Sequence, residues 1–249
     1  MKTIGLVGGI GWVSSVEYYR IINEAINQRL GELNSARCIL YSINFAEIDE
    51  LKKKDDSAGQ ISLLRDAAKK VLQCGADCIL LCANTAHQFA DQVAAKINVP
   101  LIHIAEATAD EILKKKILKV GLLGTKQTME LDFYNSRLKR RNIEVMVPEK
   151  DDREFIHSTI WNELLLEVFS PQSKRRFLKI IRQLQLKGAE AVILGCTEIP
   201  LLIKQEDTDL LLFDTLKIHA HAAVDFAASH SDNNAFNYPH PFRRKNPYR

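Results

Sequence analysis

Residues 78–87 read CILLCANTAH, and residues 191–200 read AVILGCTEIP. Each stretch is a short apolar run that ends in small polar residues, which is typical of a buried parallel strand leading into a helix. Each also follows an amphipathic run that ends in glycine, Gly75 before the first and Gly188 before the second. Glycine in that place is typical of a helix C-terminus. We therefore predict that the two stretches are one structural unit used twice.

The beginnings of the two halves match as well. Residues 3–9 (TIGLVGG) resemble residues 119–125 (KVGLLGT), and Gly5 pairs with Gly121 at an offset of 116 (121 − 5). Alternation of strands and helices implies parallel sheets covered by helices. We predict an α/β fold of two Rossmann-like lobes related by a pseudo-twofold axis. Each lobe would be a parallel sheet flanked by helices, with the active site in the cleft between them.

The repeat also gives local expectations. The helix after the first strand is expected to be capped by Ser14 or Ser15. Comparison of ELDFYNSRL with SVEYYRIIN pairs Tyr134 with Tyr19. Residues 99–105 (VPLIHIA) are expected to form a further strand after a proline-marked turn.

We predict three segments along the chain. Residues 1–106 and 215–228 form the first lobe, since the run after the last strand is expected to return to it. Residues 107–214 form the second lobe. Residues 229–249 are polar, contain proline and lack periodicity, so they are expected to form a mobile or draped tail.

Composition narrows the functional class. The 249 residues are 46% hydrophobic and 26% charged, with a net charge of +3, as in an ordinary soluble globular protein. This charge suggests neither a nucleic-acid nor a membrane partner. No apolar run approaches the roughly 20 residues that span a bilayer. The N-terminus lacks a signal-peptide pattern, so a cytoplasmic location is expected.

The five cysteines do not suggest a disulfide framework or a metal site. They are few and odd in number, and only Cys74, Cys78 and Cys82 lie near one another in a set that also has Cys38 and Cys196. Cys78 and Cys82 are expected on one strand about 13 Å apart, too far to share a zinc ion. Cys38, Cys74 and Cys78 are expected to be small buried hydrophobic residues.

Cys196 has a counterpart in the first half, and that residue is Ala83. Alignment from Gly75 and Gly188 pairs these two positions, and only a bulge would bring Cys82 to the place of Ala83. The ends of parallel strands are where α/β sheets bind ligands. Helix N–H groups there are expected to lower the pKa of a thiol and to hold a carboxylate. Two such positions would flank a substrate, as proton removal from one face and delivery to the other require.

Five motifs carry a resemblance to a known family: GLVGGIGWVSS, NTAH, LLGTKQTM, GCTEIP and FDTLKIHA. Together they resemble the cofactor-independent aspartate/glutamate racemase family, in its broad-specificity amino-acid racemase branch, over about residues 1–228. The resemblance implies a small amino-acid substrate and a homodimer. It also implies an isomerase that needs no pyridoxal phosphate, other organic cofactor or metal.

The family pattern has two catalytic thiols, or a thiol and a threonine, on opposite faces of the α-carbon. Cys196 matches the second, whereas Ala83 occupies the place of the first. A methyl group cannot transfer a proton. Ala83 could be an engineered change that traps substrate, or Cys82 or water could substitute. A natural one-thiol enzyme, as in the arylmalonate decarboxylases of the same superfamily, is the third explanation.

Further candidates for the substrate site surround the strand ends. By family analogy, Ile10 and Ser14 border the pocket, although Ser14 could be only a helix cap. Lys52 could reach the side-chain carboxylate of an acidic substrate, or it could be part of a solvated charge run, KKKDD. Glu198 could orient Cys196 or cap the following helix.

Small polar residues at helix starts are also binding candidates, since capping and carboxylate binding are compatible. These are Asn84, Thr85, Thr125, Thr128 and Thr197. His87 and His219 match the family pattern too, but we expect them to be structural, hydrogen-bonded histidines.

Three functions remain open from the sequence. The leading one is a racemase acting on aspartate, glutamate or related amino acids. A one-thiol decarboxylase or single-face proton-exchange enzyme is the first alternative. A non-catalytic amino-acid-binding protein is the second.

Overall fold

The structure is a computed structural model that describes residues 1–229. Two parallel sheets form the framework. The first has the strand order β2-β1-β3, and the second has the order β5-β4-β6-β7. The strands are Ile4–Gly8 (β1), Cys38–Ser42 (β2), Cys78–Leu81 (β3), Lys119–Gly124 (β4), Glu144–Met146 (β5), Ala191–Gly195 (β6) and Leu211–Asp214 (β7).

Helices cover these sheets. Around the first sheet, the chain forms α1 (Trp12–Leu30), α2 (Phe45–Lys53), α3 (Ser57–Gln73) and the short α4 (Ala90–Ala94). The later helices are α5 (Ile104–Lys114), α6 (Lys126–Glu130), α7 (Asp132–Lys139), α8 (Lys150–Asn162), α9 (Pro171–Leu186), α10 (Ile199–Leu202) and α11 (Thr215–Ala228). Short 3₁₀ helices span Asn84–Phe89, Leu164–Leu166 and Gln205–Asp207. The predicted α/β fold of two lobes is confirmed.

Each sheet is buried on both faces, which explains why its central strands are continuously apolar. In β3, Ile79 and Leu81 pack in one apolar cluster with residues of α3, while Leu80 packs in another with residues of α1 and α11. In β6, Val192 packs with residues of α8 and α9, and Ile193 packs with residues of α5 and α7.

The registers of the two sheets agree with the internal repeat. Gly5 in β1 lies opposite Ile79 in β3, and Gly121 in β4 lies opposite Val192 in β6. If Gly5 corresponds to Gly121, then Ile79 corresponds to Val192. The glycines that follow α3 and α9 correspond as well, since both have positive φ angles, +92° and +97°. That backbone conformation suits glycine at the end of a helix.

The start of α1 differs from expectation. Gly11 is its N-cap, so Ser14 and Ser15 lie within the helix and the predicted serine cap is wrong. The Oγ of Ser15 instead accepts a hydrogen bond from the backbone N–H of Gly9, at 2.8 Å. The loop between β1 and α1 turns at Gly9, whose φ angle is +86°. Because of this turn, α1 begins at Trp12, before the two serines.

Two other local expectations are also wrong. Tyr18 is fully buried, as is Tyr134, whereas Tyr19 is about half exposed. The offset of 116 pairs Tyr134 with Tyr18 (134 − 116), so the buried tyrosines correspond and the predicted pairing with Tyr19 is one residue out of register. The strand predicted over residues 99–105 is reduced to one bridge between Leu101 and Ile79, because α5 begins at Ile104.

Helix α11 lies beside the first strand of the chain. Leu216, Ala220 and Val224 pack in one apolar cluster with residues of β1 and α1. The backbone N–H of Lys2 donates a hydrogen bond to the carbonyl of Ala227, at 3.0 Å. Of the predicted tail, residues 230–249 lie outside the described part of the chain. Within residues 1–229, no helix is long and apolar enough to cross a bilayer.

Candidate active site

A cavity lies where β3 and β6 end, and both Ala83 and Cys196 line it. They stand at equivalent positions, since each is four residues beyond the corresponding pair, Ile79 and Val192, in the sheet registers. Eight other predicted residues also line the cavity: Ile10, Lys52, Asn84, Thr85, Thr125, Thr128, Thr197 and Glu198. Ser14 does not line it but contacts two residues that do.

Cys82 faces away from the cavity. Its side chain is fully buried in the apolar cluster with Leu6 and Leu80, whereas Ala83 belongs to the cluster on the other face of the sheet. The backbone N–H of Cys82 donates to the carbonyl of Val7, at 2.9 Å, so the ladder continues up to this point. Burial also raises the pKa of the Cys82 thiol. Cys82 therefore does not occupy the position equivalent to that of Cys196, which is filled by Ala83.

The thiol of Cys196 is paired with a carboxylate. Its Sγ donates a hydrogen bond to Oε2 of Glu198, at 2.9 Å, and both side chains are buried. Burial and the adjacent charge of Glu198 raise the pKa of the Cys196 thiol well above its usual value. Backbone N–H groups of Thr197 and Glu198 act in the opposite direction but do not prevail. The expected lowering of this pKa is therefore wrong, and Cys196 is a neutral thiol that donates to Glu198.

Two hydroxyl groups also donate hydrogen bonds to the carboxylate of Glu198. Thr197 Oγ1 donates to Oε2 of Glu198 at 2.8 Å, and Ser14 Oγ donates to its Oε1 at 3.2 Å. Ser14 Oγ also lies 2.7 Å from Thr197 Oγ1. Glu198 makes no side-chain capping bond to α10. Of the two roles considered for Glu198, contact with Cys196 is the one present.

Asn84 follows Ala83 and is held by a chain of hydrogen bonds. Its Nδ2 donates to Oγ1 of Thr215, at 3.0 Å, and that hydroxyl donates to the carbonyl of Leu194, at 2.9 Å. Asn84 Oδ1 is buried and has no hydrogen-bond partner among the described residues. Asn84 is therefore not simply a helix cap. Thr125 is one, because its Oγ1 accepts from the backbone N–H of Thr128, at 3.4 Å.

Among residues 1–229, Lys52 is the one cation that lines the cavity. It is partly buried, and it forms no ion pair with any residue of 1–229. Its neighbour Lys53 is largely exposed and pairs with Asp49. Burial lowers the pKa of Lys52. The environment of Lys52 thus differs from that of a fully solvated charge run.

Sequence reasoning missed an aromatic wall of the cavity. Phe45 and Trp161 stack with ring centroids 6.1 Å apart and an interplanar angle of 16°. They come from α2 and α8, and neither helix belongs to a recognised motif. Trp161 Nε1 is buried and has no hydrogen-bond partner among residues 1–229. The other missed lining residues are Gly11, Gln127, Ile160, Leu165 and Gly195.

The two histidines of the family motifs, His87 and His219, do not line the cavity but form buried hydrogen bonds next to it. His87 donates through Nδ1 to the carbonyl of Ala83, at 2.9 Å. His219 donates through Nε2 to the carbonyl of Ile102, at 2.7 Å, and its Nδ1 accepts from the hydroxyl of Tyr18, at 2.7 Å. Burial lowers the pKa of His87 to about 4 and that of His219 to about 3, so both rings are neutral.

Comparisons with known proteins agree with this arrangement. The sequence profile of the Asp/Glu/hydantoin racemase family matches residues 7–223. A curated relative, the broad-specificity amino-acid racemase RacX of Bacillus subtilis, is 24% identical over 89% of this chain and 96% of its own.

Solved structures give the same picture. A candidate Asp/Glu racemase from Yersinia pestis is 44% identical, with a TM-score of 0.87 over 91% of this chain and 99% of that one. An aspartate racemase homologue from Pyrococcus horikoshii is 37% identical, with a TM-score of 0.82 over 92% of this chain and 100% of that one. Since the profile matches most of the sequence, the chain belongs to the Asp/Glu/hydantoin racemase family.

Proposed function

We propose that this protein binds a small amino acid in the cavity and acts as an amino-acid racemase, transferring a proton at the α-carbon through Cys196. The observation that carries the proposal is the buried thiol of Cys196, which is hydrogen-bonded to Glu198. It lines the same cavity as Ala83, the residue at the equivalent position of the first half. We further propose that the reaction needs no organic cofactor and takes place in the cytoplasm.

The pair formed by Cys196 and Glu198 suggests how the proton moves. Glu198 takes the proton of the thiol, and the thiolate that results removes the hydrogen from the α-carbon. The electron pair left on carbon then receives a proton, and Cys196 can return one to its own face. Glu198 is suited to this role because its Oε2 lies 2.9 Å from the sulfur.

Inversion requires a second proton donor on the face of Ala83. The methyl group of Ala83 cannot supply it, and Cys82 points into the core. We propose that water delivers this proton, which would make inversion slow. Ala83 equally favours a second candidate, an enzyme that exchanges or delivers a proton on the Cys196 face alone, as a one-thiol decarboxylase does.

Incubation in D₂O separates these functions. Aspartate, glutamate and a set of neutral amino acids would be followed by ¹H NMR for loss of the α-proton and by chiral chromatography for inversion. A racemase labels and inverts the α-carbon, whereas a single-face enzyme labels it with retention. Binding without labelling would identify a non-catalytic amino-acid-binding protein and would overturn the proposal.

We also propose a homodimer. Trp12, Val16 and Tyr19 are all more than half exposed and lie on one face of α1 at helical spacing. Contiguous apolar side chains of this kind are typical of protein interfaces. Sedimentation equilibrium tests the assembly, and a monomer at micromolar concentration would contradict it.

A further inference from the structure

Thr215 is hydrogen-bonded to the chain at the ends of both β3 and β6. It is fully buried at the start of α11 and does not line the cavity. Its hydroxyl contacts Leu194, two residues before Cys196, and Asn84, the residue after Ala83. The hydroxyl is therefore shared by the chain segments that carry the two equivalent positions.

The directions of these hydrogen bonds are determined by chemistry. The carbonyl of Leu194 can only accept, so the single proton of the Thr215 hydroxyl points to it. The hydroxyl must then accept from Asn84, which places the NH₂ group of the amide toward Thr215. The oxygen of the amide, Oδ1, is consequently held on the other side. It is buried there without a partner among the described residues, in a side chain that lines the cavity.

We propose that Thr215 is a positioning residue that fixes the orientation of the Asn84 amide, so that Oδ1 accepts a hydrogen bond from the ammonium group of the bound amino acid. Leaving a buried acceptor without a partner is costly, so a ligand that carries a donor to Oδ1 gains affinity over one that does not. Of the groups around the α-carbon of an amino acid, the ammonium group is the donor and the carboxylate is the acceptor. This inference rests on the proposed function, because it assumes an amino-acid ligand.

Discrimination between ligands with and without the amino group tests the proposal. Binding of L-aspartate, L-glutamate and L-alanine would be measured by calorimetry against succinate, glutarate and propionate, which lack it. We expect the wild-type protein to bind each amino acid about tenfold to a hundredfold more tightly than the matching acid without the amino group. This is the range of a hydrogen bond to a charged group. Thr215→Val has nearly the same shape but no hydroxyl, so the amide is free to rotate and this preference should fall by about tenfold or more.

Thr215→Ser is the matched control, because it keeps the hydroxyl and should retain the preference. If Thr215→Val binds amino acids with undiminished preference, the positioning role is overturned while the proposed function stands. If the wild-type protein binds none of the three amino acids, the proposed function fails, and the assignment of Asn84 Oδ1 fails with it.

A measurement on the wild-type protein covers the case in which Thr215→Val does not fold. The NH₂ protons of Asn84 should exchange slowly with D₂O, with and without ligand, because this group faces buried Thr215 and not the cavity. Nuclear magnetic resonance of ¹⁵N-labelled protein gives the exchange rate. Fast exchange, as in an exposed asparagine, would show that the NH₂ group faces the cavity and would overturn the proposal.

Discussion

Ala83 and Cys196 occupy the same position in the two halves of the chain, one with a methyl group and the other with a thiol paired to Glu198. The matching registers of β1 with β3 and of β4 with β6 establish this equivalence. The cavity therefore has a thiol at one of these two equivalent positions and a methyl group at the other.

Ala83→Cys should restore a thiol on the second face. Positioned acid–base groups typically contribute about 10²–10⁴-fold, so racemisation of aspartate or glutamate should rise by at least about a hundredfold. Chiral chromatography would measure the rate. The gain should persist in Cys82→Ser, whose side chain lies in the core. A parent protein that already racemises rapidly, and loses that rate on Cys82→Ser, would show that Cys82 is the base after all.

Cys196→Ser should abolish proton exchange at the α-carbon. A hydroxyl is far harder to deprotonate than a thiol, even one whose pKa is raised by burial. Loss of the α-proton signal in D₂O is the measurement. Cys74 is exposed, so the expectation that it is buried is wrong, and Cys74→Ser is the matched control that should leave the rate unchanged. Exchange by Cys196→Ser at the parental rate would remove this cysteine from the mechanism.

Glu198→Gln should lower the pKa of the Cys196 thiol. The carboxylate raises that pKa through its charge and its hydrogen bond, and the amide removes the charge. Alkylation of Cys196 by iodoacetamide, followed by mass spectrometry across pH, should therefore move to lower pH. Glu206→Gln, at an exposed glutamate, is the control. An unchanged profile would mean that burial alone sets the reactivity of the thiol.

Lys52→Gln should weaken binding of aspartate and glutamate more than binding of neutral amino acids. Lys52 lines the cavity without an ion partner among residues 1–229, so a ligand carboxylate would be its counter-ion. Calorimetry should show a loss of about tenfold, as expected for a hydrogen bond to a charged group. Lys53→Gln is the matched control, because Lys53 is exposed and pairs with Asp49. Equal losses for acidic and neutral ligands would contradict this role.

Acid should destabilise the fold through its buried histidines. Burial lowers the pKa of His87 to about 4, of His219 to about 3 and of His103 to about 2, against a usual value near 6.5. The unfolded chain therefore binds more protons than the native protein below about pH 6.5. Each histidine contributes stability that is fully present above that pH and falls by up to about 1.4 kcal/mol per pH unit below it, until its folded pKa is reached.

Urea unfolding between pH 8 and pH 4 would measure this decline. In His103→Asn the decline should be shallower, and asparagine can still cap α5 as the histidine does. His221→Asn, at an exposed histidine, should leave the slope unchanged. A slope unaffected by His103→Asn would show that other groups cause the acid sensitivity.

The repeat made the fold and the position of Ala83 predictable from sequence. Apolar strands that end in small polar residues are local signals, and a strand period of two excludes Cys82 from the place of Ala83. The buried face of α1 could not be predicted to the residue. Tyr18 and Tyr19 are adjacent, and only tertiary packing decides which of them is buried. The role of Ser14 could not be predicted for a similar reason, because its hydrogen-bond partners lie more than 180 residues away in the sequence.

Other parts of the site could not be predicted from one sequence. Phe45 and Trp161 lie on helices outside the recognised motifs and meet only when the two lobes come together. The shift in the pKa of Cys196 was predicted in the wrong direction. A cysteine at the end of a strand is expected to lie beside helix N–H groups, which lower the pKa of a thiol. The depth of burial and the contact with Glu198 follow from tertiary packing.

The hydrogen bond between Lys2 and Ala227 places the start of the chain beside the end of α11. A circular permutant could join residue 228 to residue 1 through a short linker and open new termini at the exposed turn of Lys115 and Lys116. In that order α11 would directly precede β1, the strand it packs beside in the present fold. The permuted gene would then encode α11, the first sheet and the other helices that cover it in one uninterrupted sequence, while α5, which packs on the second sheet, would lie at the new C-terminus.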